Sequence, residues 1–351
     1  MYTFKTSERN NEKATEYETK SLLYLMTRAT NSDNVDLFII DCFNDVTGVS
    51  NDFGESWDIQ SKGVASLTPQ KIGSALFTLY ANYLSDISFG HYILFVPPIK
   101  ETYIEDCSLD VFSVNNFELK RIDEIQEGLR KEILARKDDD VISKTSPKHI
   151  TDFLNAVIFV ADNFHKSDYI RRIIQFKSFS RLDETFLNKI FDEIRNKQAG
   201  KKIPNVYGKS VDSLKDALKF EKYIHRKDLE LLVVNRIIGN DLFSNRGVPL
   251  FFLSIVKDMD PEDITDLLIN CQSKISQTLF NKNNKRNFWL LLEVIMRLVV
   301  DHPKFDIEGI FNLIPTDTQS RVFTLDKNST LYLIAVVKEG VQRENTTNSL
   351  W

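Results

Sequence analysis

Asp45, followed by Asp58, Gln60 and Lys62 in the run WDIQSK, sets acidic, amide and amine groups close together between apolar segments. In an extended strand successive side chains take opposite faces. Asp58, Gln60 and Lys62, spaced by two, therefore project from one face, while Trp57, Ile59 and Ser61 take the other. A strand with one packable face and one face offering an acid, an amide and an amine suits phosphodiester hydrolysis. A hard divalent cation, Mg²⁺ or Mn²⁺, takes oxygen ligands: one or two carboxylates, completed by water and substrate phosphate. Asp45 offers a charged oxygen and the Gln60 side chain a neutral one. Asp58 is either a ligand with Gln60 in support or an acid standing behind the ligands. The Lys62 ammonium can position attacking water and offset charge that grows on the phosphate.

A carboxylate from a helix would complete such a set. Glu18, Leu22, Leu25 and Ala29 recur at i, i+4, i+7 and i+11, one face of a helix expected over 11–29. Glu18 then points inward and is the first candidate, with Glu16 as the alternative. The strongly apolar stretch 35–46 (VDLFIIDCFNDV) is expected as a buried strand carrying Asp41 and Asp45 on one face. TGVSNDFGES reads as the turn of a hairpin, and 57–64 as its second strand. Thr68 and Pro69 form an N-cap and N1 pair for a helix over 70–84, whose Lys71 could reach a phosphate. A third strand over 91–97 ends at Pro97 and Pro98.

Beyond it, 111–117 is expected as a short strand, 118–137 as a charged helix and 137–148 as a polar linker. The remainder is mainly helical (186–197, 213–224, 227–238 and 288–300), with 156–160 and 321–325 as candidate strands. The run 331–337 is open between strand and helix. The expected fold class is thus an α/β domain over 1–146, a mixed sheet flanked by helices, followed by a mainly α-helical domain over 147–351 that would regulate it or bind a partner.

The bulk properties exclude several classes. With 351 residues there is material for two cores, and a net charge of −5 is not that of a polybasic nucleic-acid coat. No apolar run is long enough to span a bilayer, and the polar start MYTFKTSERNNEK has no signal-peptide core. Cys42, Cys107 and Cys271 have neither zinc-ligand spacing nor an even count, so buried free thiols in a reducing cytoplasm are expected. There is no G-x-x-x-x-G-K-[ST] and no His in a metal or nucleophile motif. Basic clusters at Arg130-Lys131, Arg136-Lys137, Arg171-Arg172, Lys201-Lys202 and 282–286 could each follow a DNA backbone, though lysine-rich helix faces are more often plain solvated surface.

The order acid, turn, then Q-S-K on a strand resembles the restriction-endonuclease-like, or PD-(D/E)XK, nuclease superfamily. Asp45 matches its first acid, and Gln60-Ser61-Lys62 its second motif in the Q-x-K form. That form is similar to the double-stranded-DNA nuclease domain of bacterial antiphage effectors and to Mrr-type restriction nucleases. The resemblance spans roughly 10–165 and is most specific from Asp45 to Lys62; the Gly-aromatic-x-aromatic-Gln signature of the effectors' first helix is missing from ATEYETKSLLYL. It implies a Mg²⁺-dependent DNA endonuclease, an oligomer when active, held in check by a partner such as the SMC-like ATPase of Lamassu-type systems or by a cyclic-nucleotide-activated system. A stand-alone restriction nuclease and a non-catalytic DNA-binding or assembly subunit are the alternatives.

Overall fold

The computed structural model describes residues 1–4, 12–65, 67–177, 182–243 and 247–348; the side chains of 12–15 and 344–348 lie outside that description, as does residue 11, where the first helix was expected to begin. The chain forms two compact units, Met1–Tyr169 with Phe191–Arg226, and Ile170–Ile190 with Lys227–Trp351.

The first unit is built on a seven-stranded mixed sheet. Its strands are β2 (Leu37–Ile40), β3 (Val46–Val49), β4 (Ser56–Ser61), β5 (His91–Val96), β6 (Val111–Ser113), β7 (Val157–Ala161) and β9 (Tyr223–His225), in the order β6-β7-β5-β4-β3-β2-β9. β4, β5 and β7 run parallel and the other pairings are antiparallel. A separate ribbon pairs β1 (Tyr2–Thr3) with β8 (Ser210–Val211). The apolar runs LFII and YILFV have no polar alternation because the sheet is covered on both faces. Helix α1 (Glu12–Thr27) packs over β3, β4 and β5, with Tyr24 against Phe95.

The other face carries α2 (Pro69–Ala75), α3 (Phe77–Tyr83), α4 (Leu119–Arg136), α5 (Asp139–Lys144) and α6 (Pro147–Ala156), whose Ile72, Leu79, Leu129, Val141 and Phe153 join Tyr92 and Leu94 in one core. α2 and α4 meet backbone to backbone: a Cβ on Gly73 would lie 2.0 Å from the Ile125 carbonyl oxygen, and one on Gly128 2.1 Å from that of Gln70.

Several expectations are corrected. The stretch 35–46 is not one strand. Asp41 adopts φ 50°, a left-handed conformation that Asp tolerates, and its N–H donates to the Asp45 carbonyl at 3.1 Å, so Asp41 to Asp45 form the turn between β2 and β3. Thr47, Gly48 and Val49 belong to β3, and the hairpin turn proper is Ser50 to Glu55, closed by the Ser50 N–H to the Glu55 carbonyl at 3.0 Å. The expected linker is helix α5, N-capped by Asp138. The helix over 70–84 is two, α2 and α3, meeting at Leu76. The stretch 213–224 forms a 3₁₀ turn and part of β9, because Ile224 is needed against Phe38 at the sheet edge. The boundary near residue 146 falls inside the first unit: β7 and β9, both later in the chain, complete the sheet. Of the thiols only Cys271 is fully buried; Cys42 is half-buried and Cys107 exposed.

α7 (Lys166–Ile174) and α8 (Glu184–Lys202) follow β7. The second unit is helical, with α9 (Arg226–Ile238), α10 (Leu253–Val256), α11 (Pro261–Phe280), α12 (Lys285–Asp301), α13 (Ile307–Leu313), α14 (Thr316–Arg321) and α15 (Lys327–Asn348). The candidate strand 321–325 lies at and after the end of α14, and 331–337 is buried helix within α15. No helix of the described residues is long and apolar enough to cross a membrane.

Candidate active site

β2 ends, β3 begins and β4 ends at the same edge of the sheet, since Ile40 pairs with Val46 and Val46 with Ile59. This is the carboxyl end of the parallel strands, where open α/β sheets place their ligands. Asp41, Asp45, Gln60, Ser61 and Lys62 gather there by topology alone.

Asp45 is buried at the centre of the group. Its Oδ2 accepts from the Ser61 N–H at 2.6 Å, the Ser61 hydroxyl at 2.7 Å and Gln60 Nε2 at 2.8 Å. In this contact the Gln60 amide turns its nitrogen towards Asp45 and its carbonyl oxygen away. Lys62, half-buried, continues the ladder beyond β4, its N–H donating to the Phe95 carbonyl at 2.9 Å.

Glu18 reaches the same edge from α1. Every residue from Glu18 to Met26 is buried, because α1 lies between the sheet and the later part of α8, where Thr19 Oγ1 donates to Gln198 Oε1 at 2.8 Å. Burial first, and then the negative charge of Asp45, push the Glu18 carboxyl up to about 7; Lys202 pulls it down, and Asp41 adds to the rise. Its Oε2 accepts from the Lys202 ammonium, its ion-pair partner. Glu16 turns elsewhere, pairing with Lys166 at 3.0 Å. The helix-borne acid facing Asp45 is therefore Glu18.

Asp58 shares a face with Gln60 but sits deeper in the strand, with no exposure. Its carboxylate accepts from Asn82 Nδ2 at 2.7 Å, Asn44 Nδ2 at 3.3 Å and the Thr47 hydroxyl at 3.4 Å. Burial pushes it up to about 7 against those three donors, which pull it down. Asn44 in turn accepts from the Asp45 N–H at 3.3 Å, and Asn82 Nδ2 also donates to the Phe43 carbonyl at 3.0 Å. In this arrangement Asp58 anchors the turn that carries Asp45 to helix α3. Lys71 is exposed on the first turn of α2.

Ser61, Asn44, Asn82 and Lys222 were not singled out as site residues in the sequence, and Lys202 only within a basic pair that could follow a DNA backbone. Lys222, buried, pairs with Asp41 at 3.2 Å and donates to the carbonyls of Lys202 at 3.3 Å and Pro204 at 3.1 Å, so it holds the C-terminal end of α8 against the turn. Ser61 was legible in principle, as the polar residue on the packing face of β4. Lys222 carried no local signal, and the Lys201-Lys202 pair gave none that pointed to Glu18, since only chain return brings these lysines here.

Among the described residues no group of three or more His, Cys, Asp or Glu side chains is disposed to hold a metal ion. A Mg²⁺ site needs less than that: one or two carboxylates and neutral oxygens. Glu18 and Asp45, mutually repelling in a buried setting with the Gln60 amide alongside, fit that smaller donor set. The chain matches no protein-family model, no curated protein and no solved structure. Function has to be read from the site.

Proposed function

We propose that the chain is a metal-dependent DNA endonuclease, with Asp45, Glu18 and Gln60 holding Mg²⁺ or Mn²⁺ and Lys62 acting on the phosphate. The observation that carries this reading is a pair of buried carboxylates, Glu18 and Asp45, the charge of Asp45 felt at Glu18, beside a Q-x-K strand end. A divalent cation, when bound, supplies positive charge against the anionic phosphodiester and makes water a stronger acid. Asp45 is held rigid by its three hydrogen bonds, which removes the reorganisation that a flexible ligand would require. Lys62 contributes a cation that can meet a phosphate oxygen and stabilise the charge developing on it. Asp58 serves by fixing the turn.

Within the same proposal the chain is a regulated effector of bacterial antiphage defence, with double-stranded DNA as substrate and the helical unit engaging a restraining partner or a second copy. An unrestrained nuclease in the cytoplasm would degrade its host's DNA, and that is the reason for including restraint. Co-purification of the chain with the products of neighbouring genes, followed by sizing, tests that component.

Supercoiled plasmid incubated with Mg²⁺ should be nicked and linearised by the wild type and left intact in EDTA. Lys62→Ala should reduce the rate by about 10²-fold or more, the scale of removing one charge-stabilising donor. Equal degradation by wild type and Lys62→Ala would sink the assignment. The orientation of the Gln60 amide, nitrogen towards Asp45, favours a second reading, a DNA-binding subunit without catalysis. That reading predicts a gel shift in EDTA and no Mg²⁺-dependent cleavage.

A further inference from the structure

We infer that Lys202 is the resident cation of this acidic site, occupying by its ammonium the place that a divalent metal takes, so that metal binding requires Lys202 to leave Glu18. This inference rests on the reading of Glu18 and Asp45 as metal-holding acids.

Three features carry it. First, the Lys202 ammonium pairs with Glu18 at the same buried carboxylate that senses Asp45, with side-chain exposures of 14% for the lysine and 5% for the glutamate. A partly buried carboxylate pair without a counter-cation would be strongly unfavourable, and Lys202 is the cation supplied. Second, the lysine is not there by the chance of a floppy side chain. It is the last residue of α8, whose end is fixed by the Lys222 ammonium bonded to the Lys202 and Pro204 carbonyls, and whose preceding turns are docked on α1 by Gln198. A cation at a helix C-terminus is also favourably placed against the helix dipole.

Third, the charges match an exchange. Glu18, Asp41 and Asp45 are three carboxylates, and Lys202, Lys222 and Lys62 bring three ammonium groups to the same edge. A dication added beside all three ammonium groups would pile up positive charge, whereas one that displaces Lys202 adds only half as much. Lys222 cannot play the same part, because its three bonds, to Asp41 and two carbonyls, make it a fastening for the turn and the helix end.

The consequence is a site whose metal affinity is set by a lysine from a distant part of the chain. Anything that draws the end of α8 away from α1 would raise affinity for the metal, and anything that clamps it would lower affinity.

Calorimetric titration of Mg²⁺ or Mn²⁺ into the full-length chain, with thermal unfolding with and without metal, tests this without reading activity. Lys202→Met should bind the cation tighter than wild type by about tenfold or more, given the strength of a short-range charge pair away from bulk water. It should also unfold at lower temperature without metal and gain more from metal than wild type does. Lys202→Arg, which keeps the charge, should bind no tighter than wild type.

Should Lys202→Met fail to fold, amine acylation of the wild type read by mass spectrometry gives an independent answer: Lys202 should be protected without metal and labelled with it. Equal or weaker metal binding by Lys202→Met, or labelling of Lys202 that does not change when metal is bound, overturns the inference while leaving the metal site standing. Metal binding by Lys202→Met alone supports it. The absence of binding in wild type and in Lys202→Met overturns both it and the reading on which it rests.

Discussion

At the scale of single residues, Asp58 shows how burial decides what a carboxylate does. It is fully enclosed and offered three donors, yet desolvation outweighs them and its carboxyl sits at about 7 rather than at the ordinary 3.8. Between those values the folded protein holds a proton that the unfolded chain releases. This group therefore subtracts stability as pH rises through about 4 to about 7. Asp58→Asn removes the charge while its amide oxygen still accepts from Asn82, and the Thr47 hydroxyl can reverse to accept from the amide nitrogen. The variant should be more stable than wild type at pH 8, on the order of 2 kcal/mol, and close to it at pH 4. Urea denaturation at the two pH values measures this, and a variant less stable at pH 8 would show that the ionised carboxylate is needed by its donors. Asp45→Asn differs in kind: three donors converge on Oδ2, and whichever way the amide turns, one end of it opposes them or the ligand position. It should lose metal binding and cleavage together.

At the scale of elements, the site depends on the turn Asp41 to Asp45 and on the helices that back it. α3 holds that turn through Asn82, and α2, which leads directly into α3, is set against α4 with no room for a side chain at Gly73 or Gly128. A Cβ at Gly128 would meet backbone, which cannot swing aside as a long side chain can. Gly128→Ala should therefore destabilise by about 1–3 kcal/mol or more, seen as a lower urea midpoint at unchanged slope. An unchanged midpoint would mean that α2 and α4 can separate at little cost. On α4 itself the basic residues Lys131 and Arg136 pair with Glu127 and Glu132 one turn earlier, the arrangement of a solvated helix face.

At the scale of the whole molecule, the sheet is assembled from segments far apart in the chain. β7 lies between β5 and β6, and β9 closes the opposite edge beside β2. A fragment ending at residue 146 would lack both, leaving the five residues of β5 that pair with β7, Tyr92 to Val96, with an unsatisfied ladder edge. It would also lack Lys202 at the end of α8 and Lys222 just before β9. Such a fragment should be aggregated or unfolded by circular dichroism, whereas one ending at residue 226, which holds the complete sheet, should unfold cooperatively. Cooperative folding of 1–146 would show that the added edge strands are dispensable.

The sequence by itself determined the local chemistry: the alternation in WDIQSK, the inward Glu18 on an amphipathic face, the strand expected over 91–97 and the candidate strand 156–160 follow from spacing and residue type, and the structure has strands at His91–Val96 and Val157–Ala161. It also signalled a mixed sheet flanked by helices and a helical C-terminal region. Hydrophobicity alone could not divide 35–46, because Phe43 and Val46 are as buried in a turn and its exit as they would be in one long strand. Nor could composition distinguish a polar linker from α5, whose Asp138 cap and single buried Val141 make a short amphipathic helix out of charged residues. What only the tertiary structure decided is which charges meet. Ion pairs such as Glu18 with Lys202 and Asp41 with Lys222 join residues more than a hundred positions apart, and no periodicity along the chain encodes them. Their partners are fixed by the return of the chain to the sheet edge, where burial makes an unpaired charge costly.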